Sequence, residues 1–180
     1  MIALLAVVLL PLQPMPAWGS AEIVARVPVV ESADAFGHAC PVPWGLVTAA
    51  HVATADRGVS VRGNAMPAAW IHPVMDIARW PLPEGIVPLP VDLDPVGGQE
   101  VLTLGYTAFF APRVVSGLLL GPVGGTGTRW VISDSPGHGA SGSCVVNAQT
   151  GRVVGILIEG QQTGPGEWIG IMLPIGLSRP

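Results

Sequence analysis

The sequence predicts an all-β fold, and three features predict it. Gly (24) and Pro (19) are abundant but scattered rather than repeated, which favours many short strands joined by turns. Apolar or alternating runs of strand length recur between those turn residues. No segment holds a helical apolar period over three turns. A barrel or a sandwich is the architecture these features imply.

Taken in chain order, Ile2–Leu10 is an unbroken apolar run followed by Pro11, Pro14 and Pro16. It is too short for a spanning helix, which needs about 20 apolar residues. Its length and the small residues around Ala17–Ala21 fit a secretory signal cut after Gly19 or Ala21. No Lys or Arg precedes the run, so an uncleaved anchor or a misassigned start codon are the other readings of residues 1–21. Processing would leave no stable membrane span and a secreted or periplasmic domain, residues 22–180.

In that domain Ile23–Val30 reads as a first strand, with Pro28 placing it at an edge. Gly45–Thr48, Val59–Arg62 and Ile77–Trp80 follow as short strands. The Pro-, Asp- and Gly-rich stretch Ile86–Gly98 reads as a crossing between two halves. Beyond it lie six candidates: Glu100–Gly105, Arg113–Leu120, Arg129–Ser133, Ser143–Asn147, Arg152–Ile158 and Trp168–Pro174.

Composition removes several function classes. With 49% hydrophobic and 11% charged residues the chain has material for a core and is not of the disordered class. A length of 180 residues suits one domain. The net charge is −4, and all 8 basic residues are Arg, spread singly along the chain. Nucleic-acid binding needs a clustered positive face, and none is visible.

Three short pieces carry chemistry. In Leu46-Val47-Thr48-Ala49-Ala50-His51-Val52 an apolar strand ends in small residues and delivers a histidine to the edge of a cleft. Neutral imidazole can take a proton from a hydroxyl nucleophile and return it to a leaving amine. Asp76, 25 residues on, stands just before Ile77-Ala78, where a carboxylate can fix the histidine tautomer. The third piece, Asp134–Ser143, contains Gly139-Ala140-Ser141-Gly142. Flanking glycines permit a tight turn that presents the Ser141 hydroxyl. The N–H groups of Gly139 and Ser141 could then form an oxyanion hole.

T-A-A-H-V, D-I-A and G-x-S-G, in the order His, Asp, Ser, resemble the chymotrypsin-fold, trypsin-like serine peptidases, and the HtrA-type members most. Gly98–Tyr106 with Val115–Leu118, Val154–Leu157 and the G-x-x-x-P-I run Gly170–Ile175 extend the resemblance over roughly residues 33–176. It implies two β-barrels with the active site between them, a His51, Asp76, Ser141 triad, a polypeptide substrate and no cofactor or metal. It implies that Ile158-Glu159-Gly160 pairs its backbone with substrate. Ser135, six residues before Ser141, would lie at the base of the primary pocket, where a neutral residue favours uncharged side chains. His138 would shape the pocket rim, whereas His38 and His72 have no catalytic role.

Two departures limit the resemblance. Ala140 stands where enzymes activated by cutting carry an acid, and a PDZ module is not expected after the closing strand. The only cysteines are Cys40, just before the Pro41-Val42-Pro43 turn, and Cys144. An even count in an exported chain suggests a bridge, and the family fold brings the two regions together. Two free buried thiols, or a zinc site with His38, are the other readings. Trp44, Trp70, Trp80, Trp130 and Trp168 read as packing residues. Two rival functions stay open: a silent module that binds peptide or protein, and an esterase using the same triad.

Overall fold

The computed structural model describes residues 20–32, 36–54, 58–106, 111–137 and 139–180. The segment read as a secretory signal lies almost wholly outside them, as does His138.

The described chain opens with a helix, α1 Ser20–Arg26, and not with the strand expected over Ile23–Val30. Ile23 and Val27, four residues apart, are both buried, which is a helical spacing. Glu22 and Arg26 add an i,i+4 pair at 3.6 Å on the exposed side. Pro28 then disfavours helix at the residue before it. The strand that follows, β1 Val29–Glu31, is not at an edge, because it pairs on both sides. Pro28 lies just outside it and offers its carbonyl to Ala39 N–H at 3.0 Å.

The rest of the first half consists of β2 Phe36–His38, β3 Cys40–Val42, β4 Gly45–Thr48, the helical turn α2 Ala50–Ala53, β5 Ser60–Val61, β6 Asn64–Ala65, β7 Trp70–Ile71 and β8 Ala78–Trp80. These strands form two four-stranded sheets, in the orders β2-β1-β5-β6 and β3-β4-β8-β7. Only Ala39 separates β2 from β3, so one extended run, Phe36–Val42, serves both sheets. The first of the two expected barrels is therefore hydrogen-bonded as two small sheets, because most of its strands are only two or three residues long. The expected turn at Pro41 is part of β3.

The second half is a closed barrel in the order β10-β11-β14-β13-β12-β9. Its strands are β9 Glu100–Tyr106, β10 Pro112–Val123, β11 Arg129–Ile132, β12 Cys144–Asn147, β13 Val153–Gly164 and β14 Glu167–Pro174. All six candidates beyond the crossing are present, and β10 and β13 are longer than read. A 3₁₀ turn, Ile175–Ser178, follows. The crossing has no regular element beyond a bridge between Val91 and Val153. It is nonetheless pinned to both halves, by Leu89 N–H to Pro41 O and Asp92 N–H to Val153 O, each at 2.8 Å.

One core spans the two halves, with Leu46, Val47 and Trp80 packed in the same cluster as Val146, Ile156 and Leu173. A second core, including Leu119, Ile132, Leu157 and Met172, fills the closed barrel. Cys40 and Cys144, both fully buried, form a disulfide across the halves with Cα atoms 4.9 Å apart. Bridged sulfurs cannot serve as thiolate ligands, so the zinc reading falls.

Of the five tryptophans read as packing residues, only Trp80 is fully buried. Trp70 is exposed, with the Arg79 guanidinium 4.8 Å from its ring centre. Trp44 is half-buried, with Arg179 over its ring.

Candidate active site

His51 is delivered by β4, whose four residues are all buried, through extended Ala49 into the one turn of α2. Val52, 5% exposed, anchors that turn while His51 beside it faces solvent. Asp76 comes from the loop before β8. His72 organises this loop: its Nδ1 accepts the Val74 and Met75 N–H groups at 3.1 and 3.0 Å, and its own N–H donates to Ile77 O at 2.9 Å.

The two side chains meet twice. His51 Nδ1 lies 2.8 Å from Asp76 Oδ2, and the His51 backbone N–H donates to Oδ1 at 3.0 Å. The hydrogen bond to Asp76 raises the His51 pKa above its ordinary 6.5, outweighing partial burial. Burial pushes the Asp76 carboxyl up, but hydrogen bonds from the His51 ring and backbone, with the attraction of His51, leave it below the ordinary value. With Nδ1 engaged, Nε2 is the nitrogen left to exchange a proton in the cleft.

Ser141 sits in the loop between β11 and β12. Gly142 after it has φ +82 and donates its N–H to Leu157 O at 2.7 Å, on β13. A Cβ at Gly142 would collide with the His38 carbonyl and the Thr48 hydroxyl, so only glycine fits there. Gly139 has φ +72 and lies against the Phe36 ring. Among the described residues, neither the Gly139 nor the Ser141 N–H donates to another backbone carbonyl. Two neighbouring N–H donors not engaged by those carbonyls suit an anion-binding turn.

His51, Asp76, Gly139 and Ser141 line one open cleft of about 420 Å³, together with Ile158, Glu159 and Gly160 of β13. Seven of the nine residues singled out from the sequence are thus brought together. Ser135 is buried and does not line the cleft; its hydroxyl accepts the Gly137 N–H at 3.4 Å and its N–H donates to Trp168 O at 3.0 Å. His138 is the ninth.

Gly137, Arg129 and Trp168 also line the cleft and were not anticipated. The Trp168 indole packs on both Gly137 and Gly160, and a Cβ at Gly160 would lie 3.4 Å from the Gly137 Cα. The backbones on either side of the cleft's end are therefore nearly in contact, with little room for a large side chain between them. No local signal in the sequence marks Trp168, because its position depends on the pairing of β14 with β13.

Among the described residues no group of three or more His, Cys, Asp or Glu is arranged to hold a metal, and no helix is long and apolar enough to cross a membrane.

Known proteins carry the same architecture. The chain is similar to the Rv3671c protease of Mycobacterium tuberculosis H37Rv in an inactive form, at 22% identity and TM-score 0.65, over 91% of this chain and 90% of that one. It is similar to a serine endoprotease from Yersinia pestis, at 22% identity and TM-score 0.66, over 89% of this chain and 64% of that one. The HtrA-type protease AlgW, solved with a tripeptide, gives 21% identity and TM-score 0.66, over 89% and 61%. No curated protein matches the chain. The model of the trypsin-like peptidase domain matches residues 29–156, well over half of the sequence, and the chain belongs to that family.

Proposed function

We propose that this chain is a serine endopeptidase that cleaves polypeptides by acyl transfer. Ser141 attacks the peptide carbonyl, and His51 Nε2 takes the hydroxyl proton. Asp76 holds the imidazole in the Nδ1–H tautomer and stabilises the imidazolium. The Gly139 and Ser141 N–H groups receive the oxyanion, each worth a few kcal/mol of transition-state stabilisation, roughly 3 by analogy with measured donors. The proton returns through His51 to the leaving amine, and water repeats the cycle to release the acid.

The observation that carries this reading is the double grip of Asp76 on His51 at the rim of the cleft that also holds Ser141. A silent binding module has no need of that grip. Extended substrate would lie along Ile158–Gly160. The near-contact of Gly137 with Gly160 under Trp168 supports a small side chain before the scissile bond, and neutral Ser135 behind that wall supports an uncharged one.

The buried disulfide supports an oxidising compartment, and hence export after removal of residues 1–21.

The test is labelling of purified protein with a fluorophosphonate probe, alongside Ser141→Ala, followed by profiling with a peptide library and matched esters. Labelling that vanishes in Ser141→Ala, with cleavage after small uncharged residues, is expected. Absence of labelling in a folded sample would leave the binding-module reading, and turnover of esters alone would leave the esterase.

A further inference from the structure

His38 is fully buried, yet it is the residue on which the Ser141 loop rests. Its Nδ1 lies 2.8 Å from the Gly139 carbonyl, so the ring donates there. Its backbone N–H donates to the Ser141 carbonyl, also at 2.8 Å. Its own carbonyl accepts the Thr48 hydroxyl at 2.6 Å and lies against Gly142. One residue thus holds both ends of the segment Gly139–Ser141 and abuts the residue beyond it. The imidazole is itself fixed by stacking on Tyr106, 5.1 Å away and 13° from parallel.

With both carbonyls drawn to the His38 side, the planes of the peptides after Gly139 and after Ser141 are set. Buried Ala140 fixes the turn between them. The Ala140 carbonyl accepts the Ser143 N–H at 3.0 Å, which sets the peptide that carries the Ser141 N–H, and Gly139 and Ser141 both line the cleft. We infer that His38 is a positioning residue, whose Nδ1–H holds the Gly139 carbonyl and so keeps the anion-binding turn formed before substrate arrives. Preorganised donors need no rearrangement as charge develops, which is the source of their effect.

Burial keeps the ring neutral, lowering its pKa to about 4 against the opposing pull of the Gly139 carbonyl. A neutral ring has one N–H, and donation to a carbonyl requires it on Nδ1. Among the described residues the buried Nε2 has no hydrogen-bond partner, as an unprotonated nitrogen can be.

This inference rests on the peptidase reading for its consequence but not for its geometry, and the experiment separates the two. Nitrogen-15 NMR of histidine-labelled protein near neutral pH should find His38 as the Nδ1–H tautomer; the Nε2–H tautomer would overturn the inference whatever the activity. His38→Phe keeps a ring on Tyr106 and removes the donor, whereas His38→Asn keeps an N–H near the place of Nδ1. We expect kcat to fall about 100-fold in His38→Phe, comparable to loss of an oxyanion donor, with KM changed by less than about threefold. His38→Asn should recover most of the loss. Equal activity of folded His38→Phe and the parent, or an Asn variant as impaired as Phe with both folded, would refute the positioning role. Loss of probe labelling in the parent protein would instead refute the peptidase reading, leaving the tautomer result standing.

Discussion

Reduction of the Cys40–Cys144 bridge should cost this domain a large share of its stability. The two sulfurs join positions 104 residues apart in sequence, so the bond closes a loop covering more than half the chain. In the chain-entropy description such a loop removes roughly 16 cal/mol/K from the unfolded ensemble, or about 4.7 kcal/mol at 25 °C. Typical domains have only about 5–15 kcal/mol in total. The assay is urea unfolding with and without a phosphine reductant, which leaves every side chain in place and so avoids the cavity that truncating two buried residues would make. The midpoint should fall sharply, and the m-value should rise, since an uncrosslinked chain exposes more surface on unfolding. A midpoint shift worth less than about 1 kcal/mol, with thiols verified as free, would refute the argument that this bond acts by restricting the unfolded chain.

Replacing Asp76 with Asn should cut kcat/KM by about 10⁴-fold, as the wrong tautomer is then favoured. Because the Asp76 hydrogen bond raises the His51 pKa above 6.5, the parent should lose activity as pH falls through a value above 6.5. In the variant that limb should move to lower pH, and an unmoved limb would mean that Asp76 does not set it. His38 titrates in the opposite sense, from 6.5 unfolded to about 4 folded, so the unfolded chain binds the proton first. Its burial costs nothing above 6.5, and stability is lost progressively between 6.5 and 4, by roughly 3 kcal/mol in all. Tyr106, the titratable group stacked on the ring, stays neutral throughout that window, its pKa being raised further by burial and by Glu31. Urea unfolding of the parent and His38→Phe at pH 7 and pH 4 isolates the term, and equal acid losses in both would refute it.

Local devices were legible in the sequence, and assembly was not. The six strands of the closed barrel could be read because each is an apolar run bounded by its own Gly or polar turn, as Val153–Gly164 is by Gly151 and Gly166. His51, Asp76 and Ser141 could be picked out because each sits in a short piece that makes sense alone. The failures share the opposite property. Ile23 and Val27 give a helical spacing only two apolar positions long, too little to outvote the β-branched residues around them. Pro41 and Val42, which read locally as the start of a turn, instead end the extended run Phe36–Val42. That run is strand by its pairing with β1 and β4, and it also passes beside the Ser141 loop: Phe36 against Gly139, Gly37 against the Ser141 carbonyl, His38 against Gly142, and Cys40 bonded to Cys144. Each of these contacts spans about a hundred residues, and the His38–Gly139 bond spans 101. A histidine whose side-chain hydrogen bond reaches that far carries no local mark of its task, so the sequence alone gives His38 no catalytic role. Gly37 shows how tightly the two segments depend on one another. A Cβ there would stand 2.8 Å from the Ser141 carbonyl and 2.9 Å from Val52, the anchor of the turn carrying His51. The bare backbone at this one position lets the His51 turn and the Ser141 loop close on the same strand, which is why the cleft forms where the two halves meet.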